Sequence, residues 1–314
     1  MTFSISVIIP VYNAEDFIKK TIASVLIHPE VKEIVLVNDG SIDGSLLIIE
    51  ELKKSDDRIQ IFHHEGAVNK GRSASRNLGI TKARFNYISF LDADDFYLEN
   101  RFERDKELLQ DQLIDGTYNA VGFHLYRNIN AIEAHHFKVA TLKKAVVPEL
   151  LFENIVSSKL GYLHLNGITV KRSVFDIIGF FNVDLKVAED SDLIFKLSLK
   201  TNLVASSIDT IVAKRGVHET NIFNQDDIYE NYNVMLYESM IDWGTANNIQ
   251  LEKIELLVNT LWVVKFRHEA NMLSYIAYWM RLQIKWPRLF GSYLSIKYFP
   301  LVRLRKQLFP SMFK

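Results

Sequence analysis

Between residues 5 and 91 the apolar positions switch back and forth between two spacings. The run 5–11 is apolar or β-branched at nearly every position, the pattern of a strand covered on both faces. Over 14–26 the apolar residues Phe17, Ile18, Ile22, Val25 and Leu26 fall instead on one side of a helix. The alternation continues with strands predicted at 33–37, 58–62 and 87–91, and helices at 43–54 and 74–83. Strands and helices alternating at this interval predict βαβ units and a mostly parallel sheet flanked by helices, an α/β fold. Beyond 117 the pattern loosens. A strand is expected at 121–126, and 128–148 reads as a polar excursion or lid. From 226 onward apolar and aromatic residues recur at helical intervals, which places a boundary between Asn221 and Asp226 and a helical extension after it.

Composition narrows the chemistry. The chain has 314 residues, is 48% hydrophobic and 24% charged, enough for one large domain with an appendage. It has no cysteine, which excludes disulfides, zinc–thiolate sites and thiol nucleophiles. The start lacks a basic, then apolar leader, and no apolar run nears the roughly 20 residues of a membrane span; the expected location is the cytoplasm. The net charge of −1 conceals an asymmetry. Residues 270–314 hold eight Lys or Arg and no acid, leaving 29 basic against 38 acidic residues before them. Such a split points to a tail with its own partner.

The densest chemistry lies in Tyr87-Ile88-Ser89-Phe90-Leu91-Asp92-Ala93-Asp94-Asp95, a strand-like run ending in three carboxylates within four residues. Like charges that close repel. A hard divalent cation relieves them, and the carboxyl end of a strand is where open α/β sheets place ligands. The structural alternative is an acidic turn in which Asp95 caps a following helix.

Five segments in register carry a family resemblance: Val7-Ile8-Ile9-Pro10-Val11-Tyr12-Asn13-Ala14-Glu15; Val35-Leu36-Val37-Asn38-Asp39-Gly40-Ser41; Asn69-Lys70-Gly71 with Ala74-Ser75-Arg76-Asn77 and Gly79; Asp92-Ala93-Asp94-Asp95; and Glu189-Asp190. Over about residues 4–220 the chain resembles the nucleotide-sugar glycosyltransferases of family 2, which implies a GT-A, Rossmann-like fold. On that resemblance residues 1–222 form the catalytic domain, with a donor half of about 1–115 and an acceptor half of about 116–222, and 223–314 form the helical C-terminal region. The donor side would comprise Tyr12 against a uracil, the backbone of Pro10 and Val11 on its polar edge, and Asn13 and Glu15 in the same turn. Asp39 would accept from the uracil N–H, with an Asx-turn to Gly40 as its structural alternative. Asn38 departs from the commoner aspartate. Lys70 and Arg76 are candidates for phosphate or base contacts, and Gly71 for a backbone conformation closed to side chains. Asp92 and Ala93 would lie near the ribose. Asp94 would bind Mn²⁺ or Mg²⁺, with His218 as a further ligand. Asp190 would be the general base and Glu189 would orient the acceptor, although a helix N-terminus favours acids anyway. His63-His64 and His135-His136 are expected at surface or loop positions.

The implied reaction is inverting, metal-dependent transfer from a UDP-sugar donor to a glycan or lipid-linked saccharide acceptor in bacterial surface polysaccharide synthesis. The alternative is a non-catalytic sugar-nucleotide-binding or scaffold subunit. A nucleotidyltransferase is disfavoured, because no Gly-rich, Lys- or Arg-bearing loop follows the first strand. In the tail, Arg281, Lys285 and Arg288 fall on one helical face among Trp279, Trp286, Tyr293, Tyr298 and Phe299. That mixture suits an anionic membrane surface at the inner face of the cell membrane. Packing on the catalytic domain or a homodimer is the alternative, and nucleic acid is not an expected partner.

Overall fold

The apolar runs pair where burial on both faces requires it. In the computed structural model, which describes residues 3–130, 137, 139–219, 221, 226–267, 271–303, 305–308 and 311, β1 (Ile5–Val11), β2 (Val31–Asn38), β3 (Ile59–His63) and β4 (Tyr87–Phe90) are parallel in the order β3-β2-β1-β4. Helices α1 (Ile18–Leu26), α2 (Ser45–Ser55) and α3 (Arg72–Lys82) connect them. The remaining strands are β5 (Phe96–Tyr97), β6 (Gly116–Tyr118), β7 (Ala120–Leu125), β8 (Ile168–Lys171), β9 (Leu203–Ala205) and β10 (Ile211–Val217). The main sheet continues β4-β8-β6-β9, with β8 antiparallel to both of its neighbours. A second sheet is ordered β5-β10-β7. Four further helices, α4 (Glu103–Leu108), α5 (Pro148–Val156), α6 (Phe175–Ile178) and α7 (Glu189–Lys200), complete this part.

Two helix starts differ from the periodicity. The pattern predicts a helix from Ala14, yet α1 begins at Ile18. The Ala14 N–H is held by Ser45 Oγ at 2.8 Å, and Asn13 sits at φ 47°, so 12–17 stays a loop. Helix α3 begins at Arg72, ahead of the expected 74. Gly71 precedes it at φ +86° with nothing near an added Cβ, so conformation alone demands glycine there. Further along, a Cβ on Gly79 would lie 2.4 Å from Ile8 Cγ2. The missing side chain is what lets α3 lie directly on β1.

Polar groups inside this unit are networked. Arg101, 1% exposed, donates to Asp105 Oδ2 and Ser89 Oγ (each 2.9 Å), to the carbonyls of Asn166 and Ile168, and to Thr169 Oγ1. One always-charged guanidinium thereby joins α4, β4 and β8.

The described residues divide into two compact units, one running to Ile228 and one from Tyr229. The sequence boundary between Asn221 and Asp226 falls mostly on 222–225, outside the described residues, as do 131–136 and 138 of the expected lid, including His135 and His136. The second unit is helical, with α8 (Asp226–Ala246) entering it, α9 (Leu251–Lys265), α10 (Met272–Lys285), α11 (Tyr293–Lys297) and shorter helices. Trp262 is its aromatic centre, 5.0 Å from Tyr275 and 4.8 Å from Tyr298 between ring centroids. The tail therefore differs from its sequence reading. Trp286 and Tyr298 are buried. Arg281 reaches Glu238 and Lys285 reaches Asp242 on α8. What α10 leaves exposed is an apolar stripe of Leu273, Ala277, Met280 and Ile284. Among the described residues no helix is long and apolar enough to cross a membrane.

His28 supplies a pH test of the first unit. Its ring packs edge-on against Tyr97 and Phe102, and Nε2 has no partner. Burial, then the charge of Arg101, push it down to about 4 from 6.5. A folded pKa below the unfolded one gives stability that is present above 6.5 and lost as pH falls toward 4. The denaturation midpoint, followed by circular dichroism, should therefore drop between pH 7.5 and 5, and His28→Leu should make that drop smaller. An equal drop in the variant would refute the assignment.

Candidate active site

The four parallel strands bring their carboxyl ends to one edge. Val11 pairs with Asn38, Asn38 with His63, and Ile8 with Phe90, so Tyr12, Asp39, His64 and Asp92 all leave the sheet on that side. Between β1 and β4 the strand order reverses, which opens a crevice there. A cleft of about 740 Å³ occupies it. Of the residues singled out by sequence, Pro10, Val11, Tyr12, Asn13, Asp39, Lys70, Gly71, Asp92, Ala93, Asp94 and His218 line the cleft; Glu15, Arg76, Glu189 and Asp190 do not.

One wall is built on Asp39. Its carboxylate accepts the Lys70 N–H on Oδ1 (2.7 Å) and the Gly71 N–H on Oδ2 (2.9 Å), while its own N–H donates to the Val11 carbonyl (2.8 Å). The Asx-type contact expected of Asp39 is made by Asn38, whose Oδ1 accepts the Ser41 N–H. His64 is not a surface residue. Its imidazole is 8% exposed, with Nε2 2.9 Å from Ser75 Oγ and 3.4 Å from Asp39 Oδ1, and burial pushes its pKa down against the pull of Asp39. Asn13 and Glu15 act on the backbone. Asn13 Oδ1 accepts the Ile42 N–H (2.9 Å) and Glu15 Oε2 the Gly44 N–H (2.7 Å), fastening the loop after β1 to the turn after β2. Tyr12 is left 50% exposed at the mouth.

The three carboxylates after β4 go to three different partners. Asp92 accepts from Arg76 Nη2 at 2.6 Å; burial would raise its pKa, but the Arg76 guanidinium outweighs it and holds the group down at about 2. Asp94 Oδ2 lies 2.7 Å from His218 Nε2. Asn221 Nδ2 is 2.9 Å from that same nitrogen, and the His218 ring stacks on Phe17 at 4.8 Å. Asp95 is buried and accepts from the Gly216 N–H (2.7 Å) and from Asn166 Nδ2. Burial, then Asp94 and Asp92, push its pKa well up. The element after Asp95 is strand β5, so there is no helix for it to cap.

Glu189 opens α7 behind Ala188, which sits at φ 63°. Its carboxylate accepts from Arg76 Nη1 (2.8 Å) and Arg72 Nε (2.9 Å), and burial raises its pKa against the pull of Arg76. Arg76, expected at a phosphate or base, is thus 1% exposed between two carboxylates. Asp190 is half-buried, with Oδ1 accepting the Ser191 N–H. Nearby His164, pushed down to about 4 by burial and then Arg215, accepts the Asn166 N–H on Nδ1. Sequence reasoning passed over Phe17, Arg72, His164, Arg215 and Asn221. Only Asn221 carried a readable signal, a polar residue three places after His218.

Residues 6–138 match the model of Glycosyl transferase family 2. Over those residues the chain is similar to that family. A relative, "Uncharacterized glycosyltransferase EpsJ" of Bacillus subtilis (strain 168), is 43% identical over 202 residues, 60% of this chain and 54% of the relative. The chain spans about half the length of the relatives it matches. Two solved structures share the GT-A fold of this chain. S. aureus TarS 1-349 in complex with UDP-GlcNAc has a TM-score of 0.58 at 16% identity, covering 97% of this chain and 92% of that one. Mannosyltransferase PcManGT from Pyrobaculum calidifontis, in complex with GDP-Man and Mn2+, has a TM-score of 0.54 at 15% identity, covering 98% and 87%.

The Asp39 wall can be tested without a ligand. Asp39→Asn sets an amide N–H₂ against a backbone N–H, so exchange of the Lys70 and Gly71 amides should quicken roughly fivefold, the equivalent of one hydrogen bond of about 1 kcal/mol. Hydrogen-exchange mass spectrometry reads this directly, and unchanged protection at 70–71 would show that the carboxylate does not hold the wall.

Proposed function

We propose that this protein is an inverting, metal-dependent glycosyltransferase that moves a sugar from a UDP-sugar to a hydroxyl of a glycan or lipid-linked acceptor, in bacterial surface polysaccharide synthesis. The observation that carries this reading is the placement of Asp39, Tyr12 and the Asp94–His218 pair around one cleft at the strand-order switch. The match of residues 6–138 to Glycosyl transferase family 2 and a fold shared with a protein solved with UDP-GlcNAc support it.

On this reading the Tyr12 ring borders the uracil, and Asp39 accepts its N–H. Each Asp39 oxygen has a second lone pair beyond the one given to the Lys70 or Gly71 amide. Asp92 lies near the ribose. The Asp94–His218 pair has the chemistry of a divalent-ion site, with a carboxylate oxygen and an imidazole nitrogen 2.7 Å apart on the cleft wall. Among the described residues no group of three or more His, Cys, Asp or Glu could hold a metal ion, so on this reading substrate oxygens would complete the coordination, as at Mg²⁺ and Mn²⁺ sites on nucleotides. Asp94 and His218 would hold the ion, and bound Mn²⁺ or Mg²⁺ supplies Lewis-acid neutralisation of the diphosphate. Asp190 takes the acceptor hydroxyl proton. The freed oxygen bonds to the anomeric carbon from the face opposite the diphosphate, and the old carbon–oxygen bond breaks with its electron pair leaving on UDP. One base and a single displacement give inversion.

The helical tail supports a membrane contact, from the cytoplasmic side. The exposed stripe of Leu273, Ala277, Met280 and Ile284 is followed by exposed Arg288, Arg303 and Arg305, which suits an anionic lipid surface.

Asp190→Asn should lower transfer by about 10²–10⁴-fold while UDP still binds, and Asp94→Asn should raise the Mn²⁺ concentration needed for half-maximal rate. Wild-type protein that binds UDP in a thermal-shift panel yet transfers from no UDP-, GDP- or TDP-sugar would be a binding subunit instead. For the tail, Met280→Glu with Ile284→Glu should abolish sedimentation with anionic vesicles and leave transfer to a soluble acceptor intact. Unchanged sedimentation would remove the membrane contact, and a shift from dimer to monomer would reassign the stripe to self-association.

A further inference from the structure

Helix α3 is stitched to the segment that leads into α7. Asn77 exchanges two hydrogen bonds with Phe181: Nδ2 donates to the carbonyl and Oδ1 accepts the N–H, each at 2.9 Å. Ser73 Oγ donates to the Leu185 carbonyl (3.4 Å), and Arg72 Nη2 to the Lys186 carbonyl (2.9 Å). Residues 72, 73, 76 and 77 occupy one face of α3, so residues 181–189 run along that face in a fixed register. Arg76 closes the series, and it alone also reaches the carboxylate motif, at Asp92.

The chemistry of Arg76 makes that contact directional. Its guanidinium is charged at every accessible pH and donates along fixed, coplanar directions. It is buried with the Phe181 ring 5.3 Å away, so each carboxylate it holds is held at a set angle. On the far side, Ala188 adopts a left-handed conformation that is unfavourable for a residue with a side chain, and it persists only when its surroundings enforce it. Glu189, anchored by Arg76 and Arg72, is the adjacent enforcing contact.

We propose that Arg76 is a positioning residue that, through Glu189, holds the Ala188–Asp190 turn in register with Asp92, so that the nucleotide side of the cleft and the base on α7 keep one separation. This rests on the assignment of Asp190 as the base. Arg76 does not line the cleft and acts through its two carboxylates.

Arg76→Lys keeps the charge but loses the fork, and Glu189→Gln keeps the shape but loses the charge. Neither leaves both Glu189 and Asp92 without a cation, so both should fold. In each, amide exchange at 188–193 without ligand should be at least about tenfold faster than in wild type, with strands β1–β4 unchanged. UDP affinity by calorimetry should stay within about threefold, while kcat falls about 100-fold at similar KM, the cost of displacing a reacting group by about 1 Å. The double variant should be no slower than the slower single one, because both changes cut the same link. Unchanged exchange at 188–193 would overturn the proposal. So would faster exchange across the whole sheet, or kcat and UDP affinity falling in proportion. If wild type transfers no sugar, the kinetic result speaks against the proposed reaction alone, and the exchange result still decides the role of Arg76.

Discussion

Three carboxylates in four residues cannot share one environment, and much of this structure follows from keeping Asp92, Asp94 and Asp95 apart. Each is settled by a different means. A buried cation compensates Asp92, an imidazole with an amide meets Asp94, and Asp95 is buried with its pKa raised, against a backbone N–H and Asn166. The means are chemically distinct because the needs are. Coulomb compensation keeps a group ionised in a dry place, whereas burial with like charges nearby favours the neutral form. The result is a turn that brings three differently compensated carboxylates to the cleft, the middle one with an imidazole beside it.

Those partners come from distant stretches of chain, which explains why so much of the first unit lies beyond the central strands. Strand β10 supplies Gly216 and leads into His218. The single-turn helix before β8 supplies Asn166, and α7 supplies Glu189 as the counter-charge that lets Arg76 be buried. Strand β8, antiparallel to β4, begins just after Asn166 and so sets that residue at the carboxyl edge of β4. The opposite wall is simpler, since one carboxylate, Asp39, gathers two backbone amides and so fixes the loop that carries Lys70 and Gly71.

The central strands were legible in the sequence because parallel strands covered on both faces leave continuous apolar runs, and β1 to β4 each fall within two residues of the predicted spans. The carboxylate motif and the Asp39 turn were legible because their chemistry is local. Side-chain direction was not. Arg76 meets partners 16 and 113 positions away, and no periodicity on α3 distinguishes that from a solvated arginine. His64 is a loop residue, as expected, but only tertiary packing puts Asp39 and Ser75 against it and buries its ring. Residues 14–17 carry a helical pattern, yet Ser45 from the next crossover takes the Ala14 amide. In the tail, helicity was legible, but which face is buried depended on Glu238 and Asp242, 43 residues upstream of Arg281 and Lys285.

The stitching of α3 to residues 181–189 has a consequence for how this chain can vary in length. Each added residue turns the rest of a helix by about 100°. A single insertion between Ser73 and Arg76 would therefore swing Arg76 and Asn77 off the face they share with Arg72 and Ser73, parting Asp92 from Glu189 while leaving both segments individually well formed. An exposed surface loop could absorb a change of length by local rearrangement. Helix α3 could not, and natural variants of this protein should differ in length almost anywhere before they differ there.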